Sequence, residues 1–255
     1  MNGERIRTAV AGAQGKMGQI VSQMLRSADG IEYVGGLVRA RGTQPVTDAY
    51  DDIARLLSDA RPQVAVDFTH MPDSKSIALA CIRAGVRPVI GTSGYGPDDL
   101  AELREACAAS RVGAIFAPNF AIGAILMMKF SSEAARYFSA VEIIELHETG
   151  KKDAPSGTAL ATARRIAGQR MLERSETPLV KAPGARGASV DGIGIHSLRL
   201  PGVVAHQQVV LGGDGETLTI THDSISRSSF LPGVLLAVRA AARLDRFVDG
   251  LESLL

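Results

Sequence analysis

The stretch VAGAQGKMG, Val10 to Gly18, decides how the rest of the chain is read. Ahead of it lies Ile6–Ala11, a short apolar run with the β-branched content of a buried strand. Behind it Met17, Ile20, Val21, Met24 and Leu25 recur at three- and four-residue intervals, the spacing of one apolar helix face, and Gly30 stands where a helix ends. Gly12, Gly15 and Gly18 therefore occupy the turn between a strand and a helix. There glycines permit a tight turn and a close backbone approach to a pyrophosphate, whose charge is met by the helix N-terminus. The stretch predicts a dinucleotide site built on a βαβ unit.

Outward from that unit the alternation continues. Ile31–Val38, Val64–Phe68, Pro88–Gly91 and Ala114–Phe116 are further short apolar runs, with helical stretches between them. Pro97–Ser110 opens with a proline and two aspartates, as the first turn of a helix favours. Strands alternating with helices predict a parallel sheet covered by helices. After Asn119 the pattern changes to a helix from about Ile122 to Phe138, a strand from Val141 to His147 and a helix beginning near Ser156. The glycine-rich KAPGARGASVDG (181–192) then precedes three strand-like runs, IGIHSLRL (193–200), VVAHQQVVL (203–211) and ETLTITH (216–222). Pro201-Gly202 and the Gly212–Gly215 turn part them, as in an antiparallel meander. A last helix, from about Gly233 to Phe247, is read with no strand after it.

These readings predict an α/β protein. A Rossmann-type domain with a parallel sheet covers residues 1–118, and a smaller α+β domain with a mostly antiparallel sheet covers 119–230. A C-terminal helix over about 231–255 packs back on the first domain.

Composition narrows the function classes. Hydrophobic residues make up 45% of the 255, charged residues 22%, and the net charge is +1, a balance that argues against nucleic acid as a partner. No run of about 18 apolar residues offers a membrane span, and the opening MNGERIRTAVAG lacks the basic and apolar regions of a signal peptide. A cytoplasmic protein without membrane association is expected. Cys81 and Cys107 have no partners at zinc-ligand spacing, so both are read as buried thiols, like the core residues Met127 and Met128, and no metal is expected.

Cofactor choice is read at the end of the second strand. NAD-binding folds usually place a carboxylate about 20 residues beyond the glycine turn, where it bonds the ribose hydroxyls. Here the segment is LVRAR, Leu37 to Arg41. Val38 cannot accept those bonds, whereas Arg39 and Arg41 carry the charge to hold a 2′-phosphate, so NADPH is the expected cofactor and NADH the second choice.

A second constellation lies in VEIIELHETGKKDAPSGTA, Val141 to Ala159. Strand alternation puts Ile143, Glu145 and His147 on one face and Ile144, Leu146 and Glu148 on the other. A carboxylate two residues from a strand-end histidine can orient the imidazole, which makes His147 a general-acid candidate. Asp153 to Thr158 has the form of a helix start with Ser156 as N-cap, and the N–H groups of Gly157 and Thr158 are suited to an anion. Lys151 lies between the acid and that anion site in sequence. Such residues suit a small substrate with two negative charges. Arg199 and His206, on the later strands, are further candidates.

The run ExHxxxKxDAPSGTA, from Glu145 to Ala159, resembles the signature of the bacterial dihydrodipicolinate reductase family. GAQGKMG (12–18), DFT (67–69), GTSG (91–94), APNF (117–120) and THDSISRSSF (221–230) agree with it in order, so the resemblance spans nearly the whole chain. It implies an NAD(P)H-dependent reductase that acts on 4-hydroxy-tetrahydrodipicolinate, a small dicarboxylate, with loss of water in the diaminopimelate route to lysine. It further implies His147 as proton donor and acceptor, Lys151 as second proton donor, and Gly157 and Thr158, capped by Ser156, as carboxylate-binding residues. Gly12, Ala13, Gln14, Gly15, Lys16, Met17, Gly91, Thr92, Ser93, Ala117, Pro118, Asn119 and Phe120 are implied to line the cofactor, and a homotetramer to form through the second domain's sheet.

The chain departs from that pattern at three places: Glu148 stands where many members have a second, substrate-contacting histidine, Val38 ends the second strand, and Ala205 replaces a glycine before His206. Glu148 next to a dicarboxylate would repel it unless turned away. Two other functions fit the same residues: a related dehydrogenase of another small amino or keto acid, and a nucleotide-binding sensor without turnover.

Overall fold

A computed structural model describes residues 5–39, 48–169 and 179–255. The chain divides into two compact units, Met1–Phe120 with Phe230–Leu255, and Ala121–Ser229.

In the first unit the elements follow as β1 (Ile6–Ala11), α1 (Lys16–Ser27), β2 (Ile31–Leu37), β3 (Ala49–Tyr50), α2 (Ile53–Arg55), β4 (Val64–Asp67), α3 (Asp73–Arg83), β5 (Arg87–Ile90), α4 (Pro97–Ser110) and β6 (Ala114–Phe116). A π-helical turn, Leu56–Ala60, continues α2. The strands of β4 and β6 are buried along their whole length, as expected of a sheet covered on both faces, where apolar runs replace alternation. Leu103 and Cys107 of α4 pack with Ala78, Leu79 and Ile82 of α3 against Ile90 and Phe116. Burial pushes the Cys81 thiol up to about 12 and the Cys107 thiol up to about 11, so both are neutral core groups.

The second unit contains α5 (Ile122–Ala134), β7 (Ala140–His147), α6 (Gly157–Ala167), β8 (Ala188–Val190), β9 (Ile193–Arg199), β10 (Ala205–Gly213) and β11 (Glu216–Ser224). Its five strands lie in the order β11-β10-β7-β9-β8. The expected meander is corrected here: β9 does not pair with β10, because β7 lies between them, antiparallel to β10 and parallel to β9. Val141, Ile143 and Glu145 form the buried side of β7, and a strand with that many inward groups takes the centre of the sheet. The segment read as a glycine-rich connection contributes β8, antiparallel to β9. Helix α5 ends at Ala134 rather than near Phe138, and the chain enters β7 through a bond from Ser139 N to Gly212 O, 3.1 Å.

After Ser229 the chain returns to the first unit as α7 (Leu231–Ala241) and β12 (Phe247–Asp249). The expected last helix is thus too long, and a strand does follow it. That strand is only three residues, too short to show a period, and is set by the parallel register Phe247↔Ala114 to Asp249↔Phe116. With it, the described strands of the first sheet run β12-β6-β5-β4-β1-β2-β3, every pairing parallel. The order reverses between β1 and β4, and in such sheets the crevice outside the carboxyl ends of the two strands is where ligands bind.

Candidate active site

In the first unit the candidate site sits at that crevice. Gly12 has φ +76°, and a Cβ there would stand 2.7 Å from the Phe68 carbonyl oxygen. Gly18 is tighter still, with a Cβ 2.1 Å from the Gly12 carbonyl oxygen. Strand end and helix start are therefore packed backbone on backbone, which only glycine allows. Within the turn Gly12 N and Ala13 N donate to Leu37 O at 3.0 and 3.1 Å, and Gly15 N to Gly12 O at 2.9 Å. These bonds use the N–H groups of the turn itself, and helix geometry leaves the first-turn groups, from Lys16 and Met17 onward, to meet an anion. No acidic side chain lies in that first turn to oppose one.

A cavity of about 730 Å³ opens beside this turn, lined by Gly12, Gln14, Gly15, Val38, Arg39 and Phe68 among others. Arg39 donates to Asp73 at 3.1 Å, and Asp73, Asp51 and Asp52 share the lining. Sequence reasoning passed over these three carboxylates; Arg41 lies outside the described residues. Ala13 and Ala117 are buried, so they offer backbone alone.

The loops after β4 and β5 are tied together by Asp67, a carboxylate 1% exposed. It accepts from Thr69 N (3.0 Å), Thr69 Oγ1 (2.6 Å), Thr92 Oγ1 (3.0 Å) and Ser74 Oγ, and Ser74 Oγ also bonds the Tyr95 hydroxyl (2.7 Å). Gly91 is held against the tilted Phe68–Phe120 pair, whose ring centres are 5.7 Å apart, and a Cβ there would stand 2.4 Å from Phe68. Thr92 is buried, Ser93 and Pro118 are exposed, and Asn119 is half-buried. Asp67 was legible only as part of DFT; its hub position depends on strand ends that meet in three dimensions.

In the second unit the candidate residues gather at the end of β7. His147 Nδ1 bonds Glu145 Oε2 on the shared face, and Glu145 is fully buried. Arg199, level with His147 on the parallel neighbour β9, donates to Glu145 through both Nη atoms, 3.1 Å to Oε2 and 3.0 Å to Oε1. It also bonds the Asp153 carbonyl oxygen at 2.6 Å. Burial pushes the Glu145 carboxyl up, but bonds from Arg199, Ser197 and His147 together outweigh it and hold the group below the usual carboxylate range. Lys151 pairs with Asp153 at 2.8 Å, and the lysine's bond holds that carboxyl low.

Ser156 caps α6, its Oγ accepting from Ala159 N at 3.2 Å, while its own N donates to Glu145 Oε1 at 3.3 Å. Gly157 and Thr158 form the first turn behind that cap, and nothing lies within 4 Å of a Cβ built on Gly157. His147, Ser156 and Arg199 are thus joined through one carboxylate, and Arg199 ties in the loop of Lys151. Glu148 is turned outward as alternation requires and pairs with Arg227 at 3.3 Å. His206 is level with Leu146, on the face away from His147, and pairs with Asp223. Of the two late-strand candidates, Arg199 belongs to the site and His206 does not share its face. Among the described residues no cluster suited to a metal ion occurs and no helix is long and apolar enough to cross a membrane.

Two family models match this chain: dihydrodipicolinate reductase, N-terminus, over residues 6–120, and dihydrodipicolinate reductase, C-terminus, over residues 123–255. The chain is similar to the 4-hydroxy-tetrahydrodipicolinate reductase of Geobacillus thermodenitrificans, 46% identical over 262 residues that cover 98% of this chain and 99% of the relative. The enzyme of that name from Bacillus subtilis is 43% identical over 266 residues, covering 100% of both. Among solved structures, a dipicolinate-bound dihydrodipicolinate reductase from Paenisporosarcina sp. TG-14 superposes with a TM-score of 0.91 at 40% identity, covering 98% of this chain and 100% of that one.

Proposed function

The chain belongs to the dihydrodipicolinate reductase family, and from that premise we propose how its own residues carry the reaction. It is an NAD(P)H-dependent oxidoreductase that reduces 4-hydroxy-tetrahydrodipicolinate to tetrahydrodipicolinate with loss of water, in lysine and diaminopimelate biosynthesis.

The first unit fits a dinucleotide. Its cavity has the volume of a small-molecule site, the glycine turn leaves no side chain between backbone and ligand, and α1 offers first-turn N–H groups. Gly12 to Met17 hold the pyrophosphate, with Gly91 to Ser93 and Ala117 to Phe120 lining the remainder. NADPH is preferred: Val38 supplies no carboxylate for the ribose hydroxyls and Arg39 lines the cavity. Asp51, Asp52 and Asp73 on the same lining moderate that preference and keep NADH in use. When bound, the nicotinamide supplies the hydride.

His147 acts as proton acceptor and donor, taking the proton lost from the carbon beside the hydroxyl-bearing one and returning a proton there on reduction, while Lys151 protonates the departing hydroxyl to water. Gly157 and Thr158, behind the Ser156 cap, bind one carboxylate of a small dicarboxylate substrate at the start of α6, where backbone N–H groups and the helix dipole favour negative charge. Glu148 borders this site; its pairing with Arg227 reduces repulsion of the substrate. The observation that carries the reading is the joining of His147 and the α6 N-terminus through Glu145. The protein works in the cytoplasm as a homotetramer built on the outer face of the second sheet, where Ile144, Leu146, Leu198 and Val210 are only partly covered.

The test follows the absorbance of NADPH and, separately, NADH, with substrate formed in place from pyruvate and aspartate semialdehyde. Oxidation that requires both precursors and is faster with NADPH is expected. Oxidation of neither cofactor would overturn the activity, and faster oxidation of NADH would overturn the preference.

A further inference from the structure

The Glu145 carboxylate is surrounded by donors. Oε1 accepts from Arg199 Nη2 and Ser156 N, and Oε2 meets Arg199 Nη1 and the His147 ring. An ionised carboxylate can only accept, and the bonds that hold its proton affinity down keep Glu145 ionised. The hydrogen between Glu145 and His147 therefore belongs to Nδ1. In the neutral ring that leaves the lone pair on Nε2, and in the protonated ring it makes Nε2–H the hydrogen that can leave.

Arg199 does more than balance the buried charge. Its two Nη atoms form a fork on Glu145, and the same atoms donate to the Asp153 carbonyl oxygen at 2.6 Å and the Leu198 carbonyl oxygen at 2.7 Å. Asp153 is the ion-pair partner of Lys151. A single guanidinium thus reaches the orienting carboxylate of His147 and the backbone beside Lys151. A lysine at this position has one nitrogen and cannot reproduce the planar fork.

We propose that Glu145 and Arg199 are a positioning pair: they fix His147 as the Nδ1–H tautomer, present Nε2 to the reaction, and hold the Lys151 loop in register with it. This rests on His147 being the proton donor of the reductase reaction. Neither residue of the pair touches the reacting atoms; both act through the groups they hold.

Two measurements test it. Nitrogen-15 NMR of the histidine rings, with His147 assigned by its loss in His147→Gln, reads the tautomer in the unaltered protein and needs no turnover. A neutral Nδ1–H ring is expected, and a neutral Nε2–H ring overturns the proposal. Steady-state kinetics of Arg199→Lys, which retains the positive charge, are expected to show kcat lowered about tenfold or more with KM for NADPH within about twofold of the parent. Glu145→Gln, if it folds by circular dichroism, is expected to behave alike. An undiminished kcat in Arg199→Lys overturns the pair. Failure of the underlying reading looks different: the Nδ1–H ring is present, yet the parent protein oxidises neither nicotinamide, or His147→Gln turns over at the parent rate.

Discussion

The Thr92 hydroxyl donates to the carboxylate of Asp67 at 3.0 Å, linking the chain just beyond β5 to the last residue of β4. The two residues are 25 apart in sequence, and the parallel register Asp67↔Ile90 brings them together. Asp67 also accepts from Thr69 and Ser74, so its removal strands several buried donors at once. Asp67→Ala is expected to cost roughly 3 kcal/mol of folding stability, since each orphaned donor forfeits its solvation. Asp67→Asn, which brings an NH2 group toward donors, is expected to fall between. Urea denaturation followed by circular dichroism measures both, and a loss below about 1 kcal/mol in Asp67→Ala would show that water replaces the carboxylate.

Two glycines of similar outward simplicity are expected to answer alanine in opposite ways. At Gly18 the new Cβ would stand 2.1 Å from the Gly12 carbonyl oxygen and 2.8 Å from Ala13 Cα, backbone atoms that cannot swing aside. Gly18→Ala is expected to lose about 1–3 kcal/mol, as for an overpacked core, and to weaken NADPH binding by displacing the turn. At Gly157 there is open space and the residue lies in the first turn of α6. Gly157→Ala is expected to match or slightly exceed the parent in thermal stability, because alanine is the better helix former, and to raise KM for substrate. Equal melting temperatures for the two variants would contradict this contrast.

The same contrast explains how far the sequence could be read. The strand, glycine turn and apolar helix face between Ile6 and Leu25 are local signals, and they led to β1, α1 and the parallel sheet; α4 was legible from its proline and acids. The Ser156 cap and the alternation of β7 were local too. What escaped was non-local. β12 and β3 are strands of three and two residues that exist only because a sheet edge receives them. The place of β7 between β9 and β10 depends on which strand buries most, a property no spacing of turns reports. Arg199 could not be separated from His206 for that reason: the first is level with His147 and the second with Leu146 once the register is known.

The proposed preference for NADPH turns on a surface ion pair. Arg39 and Asp73 are both largely exposed, and such pairs contribute about 1 kcal/mol or less, so Asp73 yields the guanidinium readily to a doubly charged 2′-phosphate. Arg39→Ala is expected to raise KM for NADPH about tenfold while KM for NADH stays within about twofold. Val38→Glu, which restores a carboxylate at the end of β2, is expected to lower KM for NADH. Equal effects of Arg39→Ala on both cofactors would remove Arg39 from discrimination.

Acid stability reports on Glu145. Its carboxyl lies below the ordinary value of 4.5 in the folded protein, because burial, which raises it, is outweighed by the bonds from Arg199, Ser197 and His147 together. A depressed folded value means that the unfolded chain takes up the proton first. The contribution is therefore complete above pH 4.5 and is lost as pH falls through the lower folded value. Asp153 acts in the same direction from 3.8, with Lys151 as the first cause, but it is solvent-exposed and adds little. Glu145→Gln has no such proton to take up, so the decline of its unfolding free energy below pH 4.5 is expected to be shallower than the parent's, whatever its stability at neutral pH. Urea midpoints at a series of acid pH values supply both slopes. Parallel slopes would mean that Glu145 is protonated alike in both states, against the bonds that surround it.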